Sequence, residues 1–331
     1  MSVPVVAFFN NKGGVGKTSL VYHLGWMYAD QRRRVLVADL DPQANLTAAF
    51  LRDDRLEQVW PDGQHPLTIS GAVEPLLMGT GDVVDKPHVE RISDGLGLIP
   101  GDLALAQFED ELSQQWPRCL DGQERAFRVM SAFWRVLQRA AAAHSAEFVL
   151  IDLGPNLGAI NRAALVASDY LVIPLVPDLF SLQGLKNLGP MIRKWRADWA
   201  TRLIHNPNST LELPRAAIEP IGYIVMQHAE RLSRPVRAYE RWASRIPEDY
   251  SHEVLGESGH SSDGHLLARV KHYRSLMPMA QEALKPMFHL TSADGAIGAH
   301  TKAVAEAREN FSLLAARLLS RCGIPQSASK R

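Results

Sequence analysis

An eight-residue segment, KGGVGKTS at positions 12–19, contains the residue types that phosphate chemistry requires. Its glycines permit the tight backbone turn that aims successive N–H groups at one phosphate. Lys17 can neutralise phosphate charge, and the hydroxyl of Thr18 can bind a magnesium ion shared with a nucleotide. The residues of this loop that are predicted to contact ATP are Lys12, Gly13, Gly14, Val15, Gly16, Lys17, Thr18 and Ser19.

The loop departs from the usual spacing G-x-x-x-x-G-K-[ST], which would place glycine at position 11. Asn11 stands there instead, and Lys12 opens the loop. A glycine-rich turn that binds nothing is the plainer interpretation, but an apolar strand precedes this segment and a helical pattern follows it, as a phosphate loop requires. Lys12 is redundant beside Lys17 within one subunit, which suggests a separate role for it.

Carboxylates follow two later apolar runs, in DLDPQ at 39–43 and DLGPN at 152–156. We expect Asp152 to hold magnesium through water, Asp39 to support the metal, and Asp41 to orient or deprotonate the water that attacks the γ-phosphate. An aspartate after a strand is more often a helix cap or turn former. Three of them accompanying one phosphate loop favour the catalytic interpretation.

Short apolar runs alternate with helical patterns along the chain, which predicts an α/β fold: a doubly wound, mostly parallel sheet with helices on both faces. One domain is predicted over residues 1–331, with insertions near 52–67 and 256–264. The predicted strands span residues 3–9, 35–38, 148–151, 170–173 and 221–226, and two of the predicted helices span residues 19–29 and 125–143.

The composition excludes several classes of protein. The chain has 331 residues, of which 46% are hydrophobic and 22% charged, so disordered and fibrous classes are excluded. Its two cysteines, Cys119 and Cys322, are too far apart for a disulfide framework or a paired-cysteine metal site. No basic leader and no apolar run of about 18 residues is present, so a cytoplasmic protein is predicted.

Three motifs, KGGVGKTS, DLDPQAN and VLIDLGPNLG, resemble in order and spacing the nucleotide motifs of the ParA/MinD family of deviant-Walker P-loop ATPases. The DPQ-x-N pattern favours the ParA, or Soj-like, branch. The similarity continues at residues 97–100, at 174–178 with Gly184, and at 285–295. It implies an ATPase with ATP and Mg²⁺ as cofactors and an ATP-sandwiched homodimer, in which Lys12 reaches the partner's phosphates.

The resemblance has departures. Asn11 stands where glutamine is common in the family, and Gly154 and Asn156 replace the usual proline and serine of the metal-strand motif. The family's adenine pocket lies at the end of a later strand, which implies that Met226 and Gln227 contact the base.

Charge is distributed unevenly although the whole chain is neutral. Residues 39–124 have a net charge of −12, whereas residues 183–245 have a net charge of +6. A polyanion should therefore prefer the second window. In the resembling ParA proteins, basic residues of this half bind DNA without sequence preference.

Within the basic window, Ser233 and Pro235 predict the start of a helix that continues to about Ser244. A solvated face neutralised by Glu230 and Glu240 is the alternative, but the surrounding positive charge favours a phosphate-binding stripe. The predicted DNA-binding residues are Arg234, Arg237, Arg241 and Arg245 on this helix, together with a cluster earlier in the chain, Arg193, Lys194 and Arg196.

Because the first strand begins at Val3, no amino-terminal helix-turn-helix is predicted. The alternative function is a MinD-like, membrane-associated positioning ATPase, which would need a terminal amphipathic basic helix. Pro325 and the polar tail oppose it, and the leucines at 313–319 are expected to pack on the sheet. The expected partners are a second copy of the chain, non-specific DNA and a ParB-like or other activating adaptor. The expected location is the nucleoid, with no membrane contact.

Overall fold

Eight strands form one sheet in the order β3-β4-β2-β5-β1-β6-β7-β8, in a computed structural model that describes residues 2–226, 236–257, 263–273 and 275–325. Only the short β3 pairs antiparallel, with β4, and all other neighbours are parallel. The predicted mostly parallel sheet is confirmed. The strands are β1 Val5–Phe8, β2 Val35–Asp39, β3 Glu90–Arg91, β4 Leu96–Ile99, β5 Phe148–Asp152, β6 Tyr170–Leu175, β7 Glu219–Met226 and β8 Leu266–Val270.

The central strands are continuous apolar runs because helices cover both faces of the sheet. In β1, Val5 and Ala7 belong to one buried cluster, and Val6 and Phe8 belong to the cluster on the other face. The helices between residues 69 and 203 contribute to the first cluster, and the helices over residues 17–30, 45–50, 276–283 and 299–321 contribute to the second. The fold is therefore a three-layer α/β arrangement, as predicted.

The helices carry the following bounds: α1 Lys17–Asp30, α2 Asn45–Phe50, α3 Asp53–Val59, α4 Ile69–Leu77, α5 Phe108–Arg118, α6 Glu124–Met130, α7 Ala132–His144, α8 Ala159–Val166, α9 Leu179–Leu203, α10 Val236–Ala243, α11 Ile246–Asp249, α12 Leu276–Ala283 and α13 Ala299–Arg321. A short π-helix, Tyr250–Leu255, continues α11. Three segments at the ends of strands position the candidate site: the connection from β1 to α1, and the segments that follow β2 and β5.

One predicted helix is wrong in its extent. Residues 125–143 form two helices, α6 and α7, which meet at Ser131. The Ser131 hydroxyl donates a hydrogen bond to the carbonyl of Phe127 at 2.7 Å and accepts one from Arg135. The backbone N–H of Ser131 donates to the same carbonyl at 3.0 Å, and serine hydroxyls that add a bond of this kind bend a helix that an apolar pattern alone would continue.

The structure describes all of the first predicted insertion, at 52–67, but only part of the second, at 256–264. Residues 52–67 contain α3, whereas residues 258–262 of the second segment lie outside the described residues, as do Gln227 and Arg234. The single-domain organisation remains a prediction.

The last helix packs on the sheet, as its leucines predicted. Leu314, Leu318 and Leu319 are buried, and Arg317 donates to the carbonyl of Leu267. Leu313 is the exception, because more than half of its surface is exposed. Within the described residues, no helix has the length and apolar character needed to cross a membrane.

Candidate functional site

The phosphate loop connects β1 to α1 at the carboxyl edge of the sheet. Gly14 and Gly16 adopt positive φ angles of 71° and 86°, a conformation that glycine adopts without strain. Lys17 begins α1 with its side chain buried, and its ammonium donates to the carbonyls of Asn10 at 3.2 Å and Lys12 at 3.3 Å. The loop therefore has the backbone geometry and the cation that phosphate binding requires.

The pKa of Lys17 is lowered by burial, an effect that the negative charges of Asp152 and Asp41 partly oppose. Because the ammonium of Lys17 is already buried, it has little hydration left to lose when a phosphate binds. This favours nucleotide binding at the loop.

A cavity of about 740 Å³ opens directly onto this loop. Its lining comprises every residue from Gly13 to Ser19 together with Tyr22, His23, Asp41, Gln43, Asn45, Ala48, Ala49, Pro155, Met277, Ala280, Gln281, Leu284 and Lys285. The loop residues predicted to contact ATP therefore border one continuous cavity, except Lys12, whose side chain lies elsewhere.

Thr18 and Asp152 meet at the base of the loop. The Thr18 hydroxyl donates to Oδ2 of Asp152 at 2.6 Å, while the buried Oδ1 of Asp152 has no hydrogen-bond partner in the described part of the chain. Burial, followed by repulsion from Asp39, raises the pKa of Asp152. A carboxylate oxygen without a partner beside a hydroxyl fits a hard cation such as Mg²⁺.

Within the described ranges, no three His, Cys, Asp or Glu side chains are grouped so that they could hold a metal by themselves. Magnesium at Thr18 and Asp152 would therefore depend on phosphate oxygens and water for its other ligands, as is usual for this ion in nucleotide sites.

Asp39 lies beside Asp152 in the register of β2 and β5. Its Oδ2 accepts hydrogen bonds from the backbone and hydroxyl of Thr47, both at 2.8 Å, and its Oδ1 accepts one from the backbone N–H of Asp41 at 3.3 Å. Burial raises the pKa of Asp39 despite these bonds. The observed contacts of Asp39 hold the segment that carries Asp41, and its support of the metal remains a prediction.

Asp41 lines the cavity, and its Oδ1 accepts a hydrogen bond from the backbone of Gln43 at 3.0 Å. It also lies against Gly154, the residue that replaces the family's proline. A Cβ added to Gly154 would lie 3.0 Å from Oδ1 and 3.2 Å from Cγ of Asp41. The absence of a side chain at position 154 therefore leaves room for the observed position of the Asp41 carboxylate.

We expect Gly154→Ala to lower the rate of ATP hydrolysis about tenfold and to leave ATP affinity nearly unchanged, since displacing a positioned group by a fraction of an ångström costs rate. Phosphate release and calorimetry measure the two quantities. Gly81→Ala is the matched control, because its added methyl group would meet its nearest neighbour at an ordinary 3.5 Å. Equal rates for Gly154→Ala and the parent would show that Gly154 does not position Asp41.

Sequence reasoning missed two side chains that hold the loop after β5. The buried amide of Asn161 donates to the carbonyl of Gly154 at 2.9 Å and to that of Asn156 at 2.6 Å. The carboxylate of Glu109, on α5, accepts from the backbone of Ala159 and Ile160 at the start of α8. Neither residue belongs to a local motif, and Glu109 is some fifty positions away in sequence.

Lys12 does not point into its own phosphate loop. Its ammonium forms an ion pair with Asp178 and lies 5.8 Å from the centre of the Phe180 ring. The other oxygen of Asp178 accepts from the backbone of Ser181 and caps α9. Lys12, Asp178 and Phe180 thus form a cluster on the rim of the site.

Met226 does not line the cavity in the way that the resemblance implied. Its Cε lies 2.8 Å from the position that a Cβ on Gly16 would occupy, so the side chain packs against the phosphate loop. Met226 is absent from the lining of the cavity, whereas Met277, Ala280 and Gln281 of α12 form one of its walls. Gln227 lies outside the described residues, and contact of either residue with adenine remains a prediction.

The first basic cluster, on α9, is largely engaged within the protein. Arg193 donates to the carbonyls of Glu253 at 2.5 Å and Val254 at 3.1 Å, and Lys194 pairs with Asp198 at 2.8 Å. Arg196 is exposed. Arg193 therefore satisfies the end of the π-helix, and its role in binding DNA remains a prediction.

The second basic cluster is the arginine stripe of α10. Arg241 and Arg245 are exposed, and their guanidinium carbons lie 5.1 and 5.5 Å from the centre of the Trp242 ring. The backbone of Arg237 belongs to α10, and Arg234 precedes the described part of this helix. Two arginines flank one indole at the surface, an arrangement suited to phosphate contacts.

Comparisons with known proteins agree with this geometry. A family model described as an AAA domain matches residues 3–204. The chromosome partitioning protein ParA of Caulobacter vibrioides is 33% identical over 199 residues, which cover 60% of this chain and 66% of ParA. The chain spans slightly less than two thirds of the length of the curated relatives it matches first.

Two solved structures are similar over nearly the whole chain. Protein DIP2308 from Corynebacterium diphtheriae has a TM-score of 0.74 at 24% identity and covers 96% of this chain and 98% of its own. McdA from Cyanothece, solved in complex with ATP, has a TM-score of 0.63 at 16% identity and covers 99% of each chain. At these identities the likeness shows the fold alone.

Proposed function

Because this chain belongs to the ParA/MinD family of P-loop ATPases, we propose that it binds Mg·ATP and hydrolyses it slowly. It dimerises around ATP and, as a dimer, binds DNA without sequence preference to position a plasmid, chromosome or other cargo. The observation that carries this proposal is the buried Lys17 and the Thr18–Asp152 pair at the mouth of one 740 Å³ cavity. The ParA relative is a chromosome partitioning protein, which supports the proposal that the cargo is a DNA molecule or another large assembly.

In the proposed hydrolysis, the N–H groups of the loop and Lys17 hold the phosphates. Thr18 and Asp152 would hold magnesium, which would neutralise phosphate charge when bound. Asp41, which the hydrogen bonds of Asp39 and Gln43 hold at the cavity, orients the attacking water and accepts its proton. Hydrolysis by one chain is slow until a partner stimulates it, and an activating adaptor is the proposed partner.

Three features at the rim support an ATP-sandwiched dimer. The ammonium of Lys12 lies on the rim, where it pairs with Asp178, and it would exchange this partner for a phosphate of another subunit. Beside it, Leu179 and Phe180 are 47% and 73% exposed, although both are large apolar side chains. In a dimer whose two nucleotide sites face each other, the second copy would cover Leu179 and Phe180. It would also give Lys12 a phosphate partner.

DNA binding rests on the α10 stripe and on the +6 window that contains it. Dimerisation would double the basic surface presented to one duplex, so ATP binding and DNA affinity become linked. Contacts to phosphates release counterions, and the affinity should therefore fall steeply with salt. The protein is proposed to reside on the nucleoid, in the cytoplasm, for this reason.

We expect Arg241→Ala combined with Arg245→Ala to flatten the plot of log affinity against log salt by roughly two units, since two phosphate contacts are lost. Fluorescence anisotropy with a random duplex and Mg·ATP measures this slope. The matched control is Arg52→Ala combined with Arg118→Ala, which removes the same charge from exposed positions in the acidic window. ATP-driven dimerisation should survive in both variants.

An identical salt slope in the α10 variant and the parent would show that DNA does not contact this stripe. Liposome flotation with anionic lipid tests the MinD-like alternative on the same protein. ATP-dependent flotation without DNA retention at low salt would replace the DNA proposal with membrane attachment.

A further inference from the structure

The cavity at the phosphate loop is larger than the loop itself and extends to α12. Met277, Gln281 and Lys285 recur every four residues, so this segment presents one face to the cavity. Ser19 and Tyr22, from the first turns of α1, line the same cavity. If the phosphates of a nucleotide bind at the loop, its base would occupy the part of the cavity between α1 and α12.

This outer part of the cavity has apolar walls. Met277, Ala280 and Leu284 contribute from the side of α12, while Ala48 and Ala49 contribute from α2. Such side chains can sandwich the faces of a planar base, but they do not distinguish one purine from another. The distinction must come from a polar side chain at the edge of the base.

Two polar side chains near α12 are already engaged. Lys285 pairs with Asp294 at 2.7 and 3.0 Å. His23 accepts from the backbone of Met287 at 3.2 Å through Nε2, and its Nδ1 lies 2.7 Å from the carbonyl of Ser19. Gln281 is exposed and its side-chain amide has no hydrogen-bond partner among the described residues. The same holds for the amides of Gln43 and Asn45, but Gln281 is the one of these three that lies on α12, between Met277 and Leu284.

We propose that Gln281 reads the edge of the adenine base and selects ATP over GTP. The inference rests on the proposed ATP binding. A glutamine amide can accept a hydrogen bond from the 6-amino group of adenine and donate one to N7 on the same edge of the base. On that edge guanine presents two acceptors, O6 and N7, so the carbonyl of Gln281 lacks a donor in either orientation of the amide.

The test measures the dissociation constants of ATP, GTP and purine riboside triphosphate, which lacks the 6-amino group, by calorimetry with Mg²⁺. The parent should bind ATP roughly tenfold more tightly than either analogue, the usual effect of one unmade hydrogen bond. In Gln281→Ala this preference should vanish, mainly through weaker ATP binding. Glu282→Ala is the control, because Glu282 is an exposed neighbour on α12 that does not line the cavity.

Gln281→Glu provides a second test, since its carboxylate still accepts from the 6-amino group but cannot donate to the ring nitrogen. It should retain part of the preference for ATP over purine riboside triphosphate. A parent that binds ATP and an alanine variant with the same preference would overturn the role of Gln281 and leave the proposed function standing. A parent that binds neither ATP nor GTP would overturn both.

Discussion

Replacing Lys12 with alanine is expected to leave ATP binding nearly intact while reducing hydrolysis by about 10³-fold, the lower range for a cation supplied in trans to transferring phosphoryl groups. The reason is geometric. Lys17 supplies the cation of its own loop, whereas Lys12 pairs with Asp178 on the rim and contacts Phe180. Single-turnover phosphate release measures the rate, and calorimetry measures the binding.

The control for this variant is Lys86→Ala, which removes an exposed lysine from the acidic window. It should hydrolyse ATP at the parental rate. If Lys12→Ala also dimerises and hydrolyses ATP like the parent, Lys12 has no trans role, and the chain would act as an ordinary monomeric P-loop enzyme.

Replacing Asp41 with alanine is expected to reduce hydrolysis by about 10²- to 10³-fold, the usual loss when a group that positions or deprotonates a nucleophile is removed. ATP should still bind, because Asp41 approaches the nucleotide from the cavity wall while the loop and Lys17 hold the phosphates. Calorimetry and phosphate release on the same preparation separate the two effects.

Lys17→Ala is the reference for lost binding, since it removes the buried cation of the loop. If Asp41→Ala resembles Lys17→Ala and fails to bind ATP, Asp41 has a structural role in shaping the segment after β2. The water-orienting assignment would then be wrong.

The sheet and the phosphate loop could be predicted because each depends on residues that are close together in the sequence. Apolar runs such as residues 35–38 are continuous since both faces of the sheet are covered, and a glycine-rich turn between a strand and a helix has few other interpretations. The break at Ser131 was missed because it depends on one serine hydroxyl that bonds a backbone carbonyl inside an otherwise regular apolar pattern.

The walls of the site depend on tertiary contacts that sequence spacing does not reveal. Glu109 caps α8 across some fifty residues, and Gln281 reaches the cavity of a loop more than 260 positions earlier. Charge patterns have the same limit, since Arg193 counts as a cation in sequence but its guanidinium satisfies two carbonyls of the π-helix. Only the fold brings these groups together.

The central claim is that ATP binding controls dimerisation, and light scattering on the Asp41→Ala protein tests it most directly because bound ATP persists there. With saturating Mg·ATP we predict a particle of twice the chain mass, and with Mg·ADP a particle of one chain mass. The double variant Lys12→Ala, Asp41→Ala should stay at one chain mass in both nucleotides. A single-chain mass for Asp41→Ala at saturating Mg·ATP would contradict the account.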